Sequence, residues 1–218
     1  EEQEILSQYV GWGGLPDAFD ESKQNWAVEF RDLRELLTQE NIPLRLYSGA
    51  EVFADPSNIR TLIEQHELIT LGGSRYLLVE FDFGLPGSVL LRTLEAIAQR
   101  GLVPVVAHPE RYDAVQRDPG LAAWCFSRGM LLQLNKGSLL GLLGSRAEDT
   151  ALHLLSHGLA HLIASDAHDD RFRTTGFRSL LPVLEPICHP DYIALLLHGN
   201  PRRILRDEPI PIPPLQSD

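Results

Sequence analysis

The sequence lacks long apolar runs, cysteine clusters and an excess of positive charge. No apolar run approaches the roughly 20 residues of a membrane-spanning helix, and the opening EEQEILSQ lacks the basic and apolar regions of a signal peptide. Cys125 and Cys188 both lie in apolar stretches, which argues against a disulfide framework or a cysteine-based zinc site. We therefore expect a cytoplasmic protein with no membrane insertion.

Several binding and catalytic motifs are also missing. The net charge of −11 disfavours a nucleic-acid partner, because such partners recruit lysine and arginine. GWGG lacks the Lys and Ser/Thr that complete a phosphate-binding loop, and NKGS lacks the preceding glycines. No G-x-S-x-G motif is present, which excludes an α/β-hydrolase nucleophile.

One pattern occurs three times between residues 88 and 166: an amphipathic stretch, a glycine and a short apolar run closed by a polar residue. The glycines are Gly101, Gly129 and Gly158, and each suits the left-handed position that follows a helix. The apolar runs are typical of strands that are covered on both faces. Two earlier stretches, PLRLYSGAE and RYLLVE, fit the same scheme. The sequence therefore predicts an α/β fold with at least five parallel strands.

Each predicted strand closes with a polar side chain. These residues are Glu51, Glu80, His108, Asn135 and Asp166, with His168 just beyond the last strand. In parallel α/β folds the chemistry lies at the carboxyl ends of the strands. Two Glu, two His and one Asp form a mixed nitrogen and oxygen ligand set, which suits two or more divalent ions such as Mn, Zn or Fe. Any single one of them is more often an ordinary polar strand end, but five such residues at the same end of successive strands favour a shared metal site.

The remaining histidines fit a metal site less well. His153, His157 and His161 are spaced four residues apart, but Gly158 should end their helix before His161. We interpret His66, His189 and His198 as incidental because they lie away from strand ends.

Residues 41–206 resemble the manganese-dependent protein-tyrosine phosphatases of bacterial capsule and exopolysaccharide operons, which are members of the polymerase and histidinol phosphatase (PHP) superfamily. The stretches that carry the resemblance are GAEV, YLLVEF, VVAHPERY, ASDAH and NPRRIL. The order of HPERY and a later SDAH is especially specific to that family.

The resemblance implies a PHP-type distorted (β/α)7 barrel with two or three divalent ions at the strand ends. It assigns the metal ligands to Glu51, Glu80, His108, Asp166 and His168, with Glu80 as a bridge, and the phosphate clamps to Arg111 and Arg173. The implied ion is Mn, with Fe, Zn and Mg as alternatives. The implied substrate is a phosphotyrosine protein such as the tail of a bacterial tyrosine kinase. Residues 173–175 read RTT where the family has Arg followed by prolines, so we expect a less rigid loop there.

The N-terminus departs from the family pattern. The family begins with a His-x-His strand and a strand that ends in Thr-Pro-His, whereas no histidine precedes His66 here. We therefore expect that the barrel lacks its first two strands and at least three ligands. Open sheet edges would favour self-association unless residues 1–22 or another chain cover them. The incomplete site would reduce activity.

Residues 1–40 resemble a different family, the N-terminal region of large phage- and plasmid-borne methylase-helicase proteins. The stretch YVGWGGLPDAFD carries this resemblance. We therefore divide the chain into an N-terminal segment, 1–40, and a metallophosphatase domain, 41–218. Apolar residues at helical spacing predict a helix over residues 23–39.

Three functions remain open from the sequence. The first is a metal-dependent phosphotyrosine phosphatase of the exopolysaccharide type. The second is another PHP phosphoesterase, with histidinol phosphate or a nucleotide as substrate. The third is an inactive chimeric remnant that keeps the fold and binds metal poorly.

Overall fold

The computed structural model describes residues 3–6, 9–11, 16–64, 68–168, 171 and 173–211. The described strands are β1 (Gln3–Leu6), β2 (Tyr9–Gly11), β3 (Leu44–Tyr47), β4 (Ala50–Phe53), β5 (Tyr76–Glu80), β6 (Val103–Ala107), β7 (Leu131–Asn135) and β8 (Leu162–Ala164).

The helices follow the strands on both sides of the sheet. They are α1 (Pro16–Gln39), α2 (Ile59–Glu64), α3 (Gly87–Ala98), α4 (Asp113–Arg117), α5 (Gly120–Ser127), α6 (Lys136–Leu139), α7 (Ser145–Ser156), α8 (Leu181–Leu184), α9 (Pro190–Ala194) and α10 (Asn200–Leu205). The helix predicted over residues 23–39 is confirmed and begins earlier, at Pro16. Among the described residues, no helix combines the length and apolarity needed to cross a membrane.

The main sheet is parallel throughout, with strand order β2-β4-β5-β6-β7-β8. The predicted α/β class and parallel sheet are confirmed. Within the described residues the sheet is open, with β2 and β8 at its ends, so the predicted barrel is not closed.

The first predicted strand is divided in two. PLRLYSGAE forms β3, which pairs with β1, and β4, which pairs with β2 and β5. Between them the carbonyl of Ser48 accepts a hydrogen bond from Gly72 N–H at 2.6 Å. This interaction takes the backbone out of the ladder and lets the two halves join different sheets.

Two strands precede α1, where the sequence analysis predicted none. β2 pairs with β4 in parallel, so the edge beside the Glu51 strand, which was expected to be open, is covered within the described residues. The prediction of self-association now rests on the other end of the sheet, where β8 has no further described neighbour. The absence of the family's first two strands stays a prediction.

The repeated glycines have the predicted conformation. Gly101, Gly129 and Gly158 have φ values of 83°, 73° and 67°, and each lies between a helix and the next strand. A side chain would be strained at these φ values. The repeated helix, glycine and strand pattern therefore places β6, β7 and β8 side by side in chain order.

The sheet is buried on both faces. Leu77 and Val79 belong to the main apolar core, which includes residues of α3, whereas Leu78 packs on the opposite face with Ile204 of α10. This two-sided burial explains why the strands are continuous apolar runs without alternation. All strands of the main sheet point the same way, so their polar closing residues gather at one edge.

Candidate metal centre

Three of the predicted ligands come together where β4, β5 and β6 end. His108 Nε2 lies 3.2 Å from Glu51 Oε1 and 3.3 Å from Glu80 Oε1. One ligand atom from each residue lies within 4.8 Å of the others. Glu51 and His108 are buried, and the Glu80 side chain is partly exposed to solvent. Carboxylate and imidazole donors at this spacing fit a hard or borderline divalent cation such as Mn, Fe or Zn.

The backbone is strained at two of the predicted ligands. His108 and Asp166 have φ values of 31° and 48°, in the left-handed region that residues other than glycine rarely adopt. Each such conformation costs about 1–3 kcal/mol and concentrates at functional sites. The two strained residues follow β6 and β8, at the edge where the candidate centre lies.

The carboxylates control the charge of His108. Burial by itself disfavours the charged ring, but hydrogen bonds to Glu51 and Glu80 outweigh it and raise the pKa of His108 to about 9. Without a metal ion, the proton on His108 therefore neutralises part of the carboxylate charge at neutral pH.

We predict that the metal-free protein loses stability as the pH rises from about 6.5 to about 9. The pKa of His108 is higher in the folded chain, about 9, than its ordinary value of 6.5, so its stabilising contribution is complete below 6.5 and is lost as pH approaches 9. Urea unfolding midpoints in chelator, measured across this range, test the slope. His108→Asn should flatten this component of it, and an unchanged slope in that variant would contradict the assignment.

Asp166 and His168 lie outside this three-residue group. The Asp166 carboxylate is buried and pairs with the Arg173 guanidinium, and its Oδ2 also accepts a hydrogen bond from Asn135 Nδ2 at 2.6 Å. His168 Nδ1 lies 2.9 Å from the Asp166 carbonyl oxygen, and the side chain is 43% exposed. The predicted five-residue ligand set is thus divided into the triad, an arginine-paired aspartate and a partly exposed histidine.

Arg111 lies beside the triad. Its guanidinium stacks over the Phe83 ring at 4.3 Å, and that ring contacts His108 edge to face, with the ring centroids 5.8 Å apart. An arginine that binds a phosphate oxygen needs a guanidinium oriented close to the metal site, and stacking on Phe83 orients that of Arg111.

The residues that connect the two parts of the site are not predicted from the sequence. Asn135 donates its backbone N–H to Glu110 Oε1 at 3.0 Å, while its side chain bonds Asp166 and accepts from Gly137 N–H at 2.7 Å. Glu110 is fully buried, and its pKa is raised by burial and lowered in part by Ser138 and Asn135. Glu110 belongs to the HPERY motif, from which only the histidine and arginine had been selected.

Lys136 was also missed. It follows β7 directly, is only 3% exposed, and donates to the carbonyls of Thr174 and of Gly176, the latter at 2.9 Å. In the sequence, NKGS resembles only an incomplete phosphate-binding loop. Its lysine instead holds the RTT segment, for which the sequence predicted lower rigidity.

We predict that Lys136→Met releases this segment with little global effect. Methionine keeps the aliphatic stem but removes the hydrogen bonds, a loss of about 1 kcal/mol in net terms. Tryptic cleavage after Arg173 should accelerate about fivefold, because cleavage follows the local opening equilibrium. Mass spectrometry of the fragments measures this, with Lys23→Met in α1 as the control. Equal cleavage rates in the two variants would contradict the anchoring role.

Among the other histidines, the expected end of the α7 helix is confirmed. α7 ends at Ser156, and Gly158 separates it from His161. His161 is buried, and burial lowers its pKa to about 4, so the neutral ring accepts the Leu132 N–H at 3.1 Å. It supports β7 rather than a metal. His66 lies outside the described residues.

Comparisons with known proteins identify the family of this chain. Residues 15–206 match the family described as capsular polysaccharide synthesis, CpsB/CapC. The tyrosine-protein phosphatase YwqE of Bacillus subtilis (strain 168) is 29% identical over 178 residues, which are 82% of this chain and 69% of that protein. The tyrosine-protein phosphatase CpsB of Streptococcus pneumoniae is 27% identical over 195 residues, which are 87% and 80% of the two chains.

A solved structure matches as well. It comes from work on YwqE of Bacillus subtilis and CpsB of Streptococcus pneumoniae, which are described there as unique metal-dependent tyrosine phosphatases. It matches with a TM-score of 0.76 and 28% identity, over 86% of this chain and 75% of that one. The family match also includes residues 15–40. The resemblance of the N-terminal segment to methylase-helicase proteins gains no support from these matches, and a domain boundary near residue 40 stays a prediction.

Proposed function

The chain belongs to the CpsB/CapC family of capsular polysaccharide synthesis, and on this basis we propose that it is a metal-dependent protein-tyrosine phosphatase. The observation that carries the proposal is the triad of Glu51, Glu80 and His108, two of them buried, at the ends of adjacent parallel strands. Its donor types suit divalent cations, and Arg111 supplies a cation beside it for the phosphate.

The cysteines argue against a thiolate nucleophile. Cys125 and Cys188 are both buried, and burial raises the pKa of the Cys125 thiol to about 12 and raises that of Cys188. A cysteine-dependent phosphatase needs an accessible thiolate at neutral pH. The phosphoester chemistry of this chain therefore depends on groups other than sulfur.

The residues divide the work of hydrolysis. Glu51, Glu80 and His108 would hold a divalent ion, which supplies Lewis-acid charge and a water of lowered pKa. Arg111 binds an equatorial phosphate oxygen, and Phe83 supports its guanidinium. Arg173 leaves or shares the Asp166 carboxylate to bind a second oxygen. Their positive charges offset the charge that develops on the phosphoryl group.

The finer assignments extend this proposal. Asp166 and His168 complete the ligand set as the holders of a further ion, with Mn as the metal. The substrate is a phosphotyrosine protein, with the tail of a bacterial tyrosine kinase as its source. The Asp166 carboxylate is within reach of a cation already, because it binds the Arg173 guanidinium.

The test is hydrolysis of p-nitrophenyl phosphate and a phosphotyrosine peptide by the chelator-treated chain, with and without Mn. We expect Mn to stimulate a weak activity, and expect activity to rise when a His-x-His strand and a Thr-Pro-His strand are supplied ahead of residue 23. Robust turnover in chelator would contradict the metal mechanism.

Substrate profiling and metal counting separate the alternatives. Preference for histidinol phosphate or a nucleotide over phosphotyrosine would indicate another PHP phosphoesterase. No bound metal by elemental analysis, together with no turnover, would indicate an inactive remnant.

A further inference from the structure

A cleft opens beside the candidate metal centre, between the short helical turn at residues 109–111 and the start of α7. Its volume is about 460 Å³, and its lining includes Phe83, Arg111, Gln116, Leu143 and Arg146. Phe83 links the cleft to the candidate centre, because this ring lines the cleft and contacts both His108 and the Arg111 guanidinium.

Two arginines bring positive charge to the cleft of an acidic chain. The chain carries a net charge of −11, and several arginines on the described surface pair with carboxylates, as in Arg75–Asp207 and Arg117–Asp113. Within the described residues, neither Arg111 nor Arg146 has a carboxylate within 4.0 Å. Two guanidinium groups that have no carboxylate within 4.0 Å among the described residues therefore line one cleft of an acidic protein.

The walls of the cleft fit an aromatic or aliphatic group as well as an anion. The Phe83 side chain is 36% exposed, and Leu143 adds a second apolar surface. Gln116 fixes part of the wall by donating its amide to the carbonyl of Glu110 at 2.9 Å. A peptide that places an aryl phosphate at the triad would lay its neighbouring side chains along this cleft.

We propose that the cleft is a specificity subsite in which Arg146 binds the carboxylate of an Asp or Glu that flanks the phosphotyrosine. This inference rests on the proposed function, because it takes the phosphate to lie at the triad with Arg111. Arg111 and Arg146 both line the cleft, but Arg111 also stacks on Phe83, which contacts His108, so we assign the phosphate to Arg111 and the flanking acid to Arg146. A second phosphate on a neighbouring tyrosine offers the same negative charge, and the experiment distinguishes it from a carboxylate.

The experiment compares three phosphotyrosine peptides with alanine, glutamate or a second phosphotyrosine at the flanking positions. The variants are Arg146→Gln and Arg146→Glu. The matched control is Arg92→Glu, which changes an exposed arginine on α3 by the same charge. p-Nitrophenyl phosphate serves as the substrate without a flanking group.

We expect Arg146→Glu to lower kcat/KM for the glutamate peptide at least about tenfold, mainly through KM, since a charge-assisted hydrogen bond contributes about that factor. Arg146→Gln should show a smaller loss. Turnover of p-nitrophenyl phosphate and of the alanine peptide should stay within about twofold, and Arg92→Glu should change none of the substrates.

Three results would overturn the proposal. One is equal loss with Arg92→Glu, which would mean that net charge alone matters. Another is equal loss on p-nitrophenyl phosphate, which would show that Arg146 supports the catalytic site in general and not the recognition of a flanking acid. The third is a response to the doubly phosphorylated peptide alone, which would replace the carboxylate by a phosphate.

Peptide binding separates this inference from the proposed function. Fluorescence anisotropy of the same peptides in chelator needs no turnover. Tighter binding of the glutamate peptide that disappears in Arg146→Glu supports the subsite even if the chain hydrolyses nothing. Binding that is equal for the alanine and glutamate peptides overturns it.

Discussion

His108→Ala is expected to remove the divalent metal and to lower aryl phosphate hydrolysis by about three orders of magnitude. The histidine contributes the only nitrogen donor of the described triad, and its loss leaves Glu51 and Glu80 as two adjacent carboxylates. An ion supplies several kcal/mol of transition-state stabilisation, and each 1.36 kcal/mol is a factor of ten in rate. Elemental analysis of dialysed protein and Mn-dependent turnover measure the two effects.

The left-handed backbone at His108 requires additional variants. His108→Ala keeps the strain, whereas His108→Gly relieves it, so loss of metal in both variants assigns the effect to the imidazole. Glu80→Ala should also abolish metal binding. His198→Ala, an exposed histidine away from the strand ends, is the control. Unchanged Mn content in the His108 and Glu80 variants would refute the ligand assignment.

Arg173→Ala is expected to abolish measurable hydrolysis, with a loss of at least about two orders of magnitude. Removing one positioned group that stabilises transition-state charge typically costs about 10²–10³ in kcat. The variant also leaves the buried Asp166 carboxylate without its guanidinium partner. The measurements are kcat for p-nitrophenyl phosphate and the inhibition constant for inorganic phosphate, which should both deteriorate.

Two further variants separate charge from geometry at this position. Arg173→Lys keeps the charge without the fork of donors, so it should recover part of the phosphate affinity and little of the rate. Arg178→Ala removes an exposed arginine from the same segment and should have no effect. A fully active Arg173→Ala would show that this side chain serves only the Asp166 pair.

The central sheet was predictable because its signals are local. β5 to β8 are largely apolar runs, and a glycine that follows a helix precedes each of β6, β7 and β8. Parallel direction then places the closing residues at one edge, which is why Glu51, Glu80 and His108 could be selected together. The break inside PLRLYSGAE was not predictable, because it depends on the hydrogen bond from Gly72 N–H to the Ser48 carbonyl, two residues that lie on either side of α2 in the sequence.

The second half of the site shows where sequence reasoning stops. Asp166 and His168 follow β8 as predicted. The ion pair of Asp166 depends on the loop after it, which brings the Arg173 guanidinium to the Asp166 carboxylate. The spacing of these residues along the chain does not predict that Arg173 pairs with Asp166. Lys136, which holds the loop, was visible only as a lysine after a strand, and its burial depends on the tertiary packing around residues 174–176.

The two N-terminal strands have a shared register that bears on local unfolding. Gln3 pairs with Leu44 and Tyr9 pairs with Ala50, a separation of 41 residues in both cases, and α1 lies in both connections. Because one helix closes both ladders, neither pairing can open far without moving the other. The amides of β1 and β2 should therefore exchange with solvent deuterium together, as one cooperative unit, at a lower free energy than the amides of β5 to β7. When that unit opens, the outer edge of β4 is exposed, and Glu51 loses the strand that covers its flank.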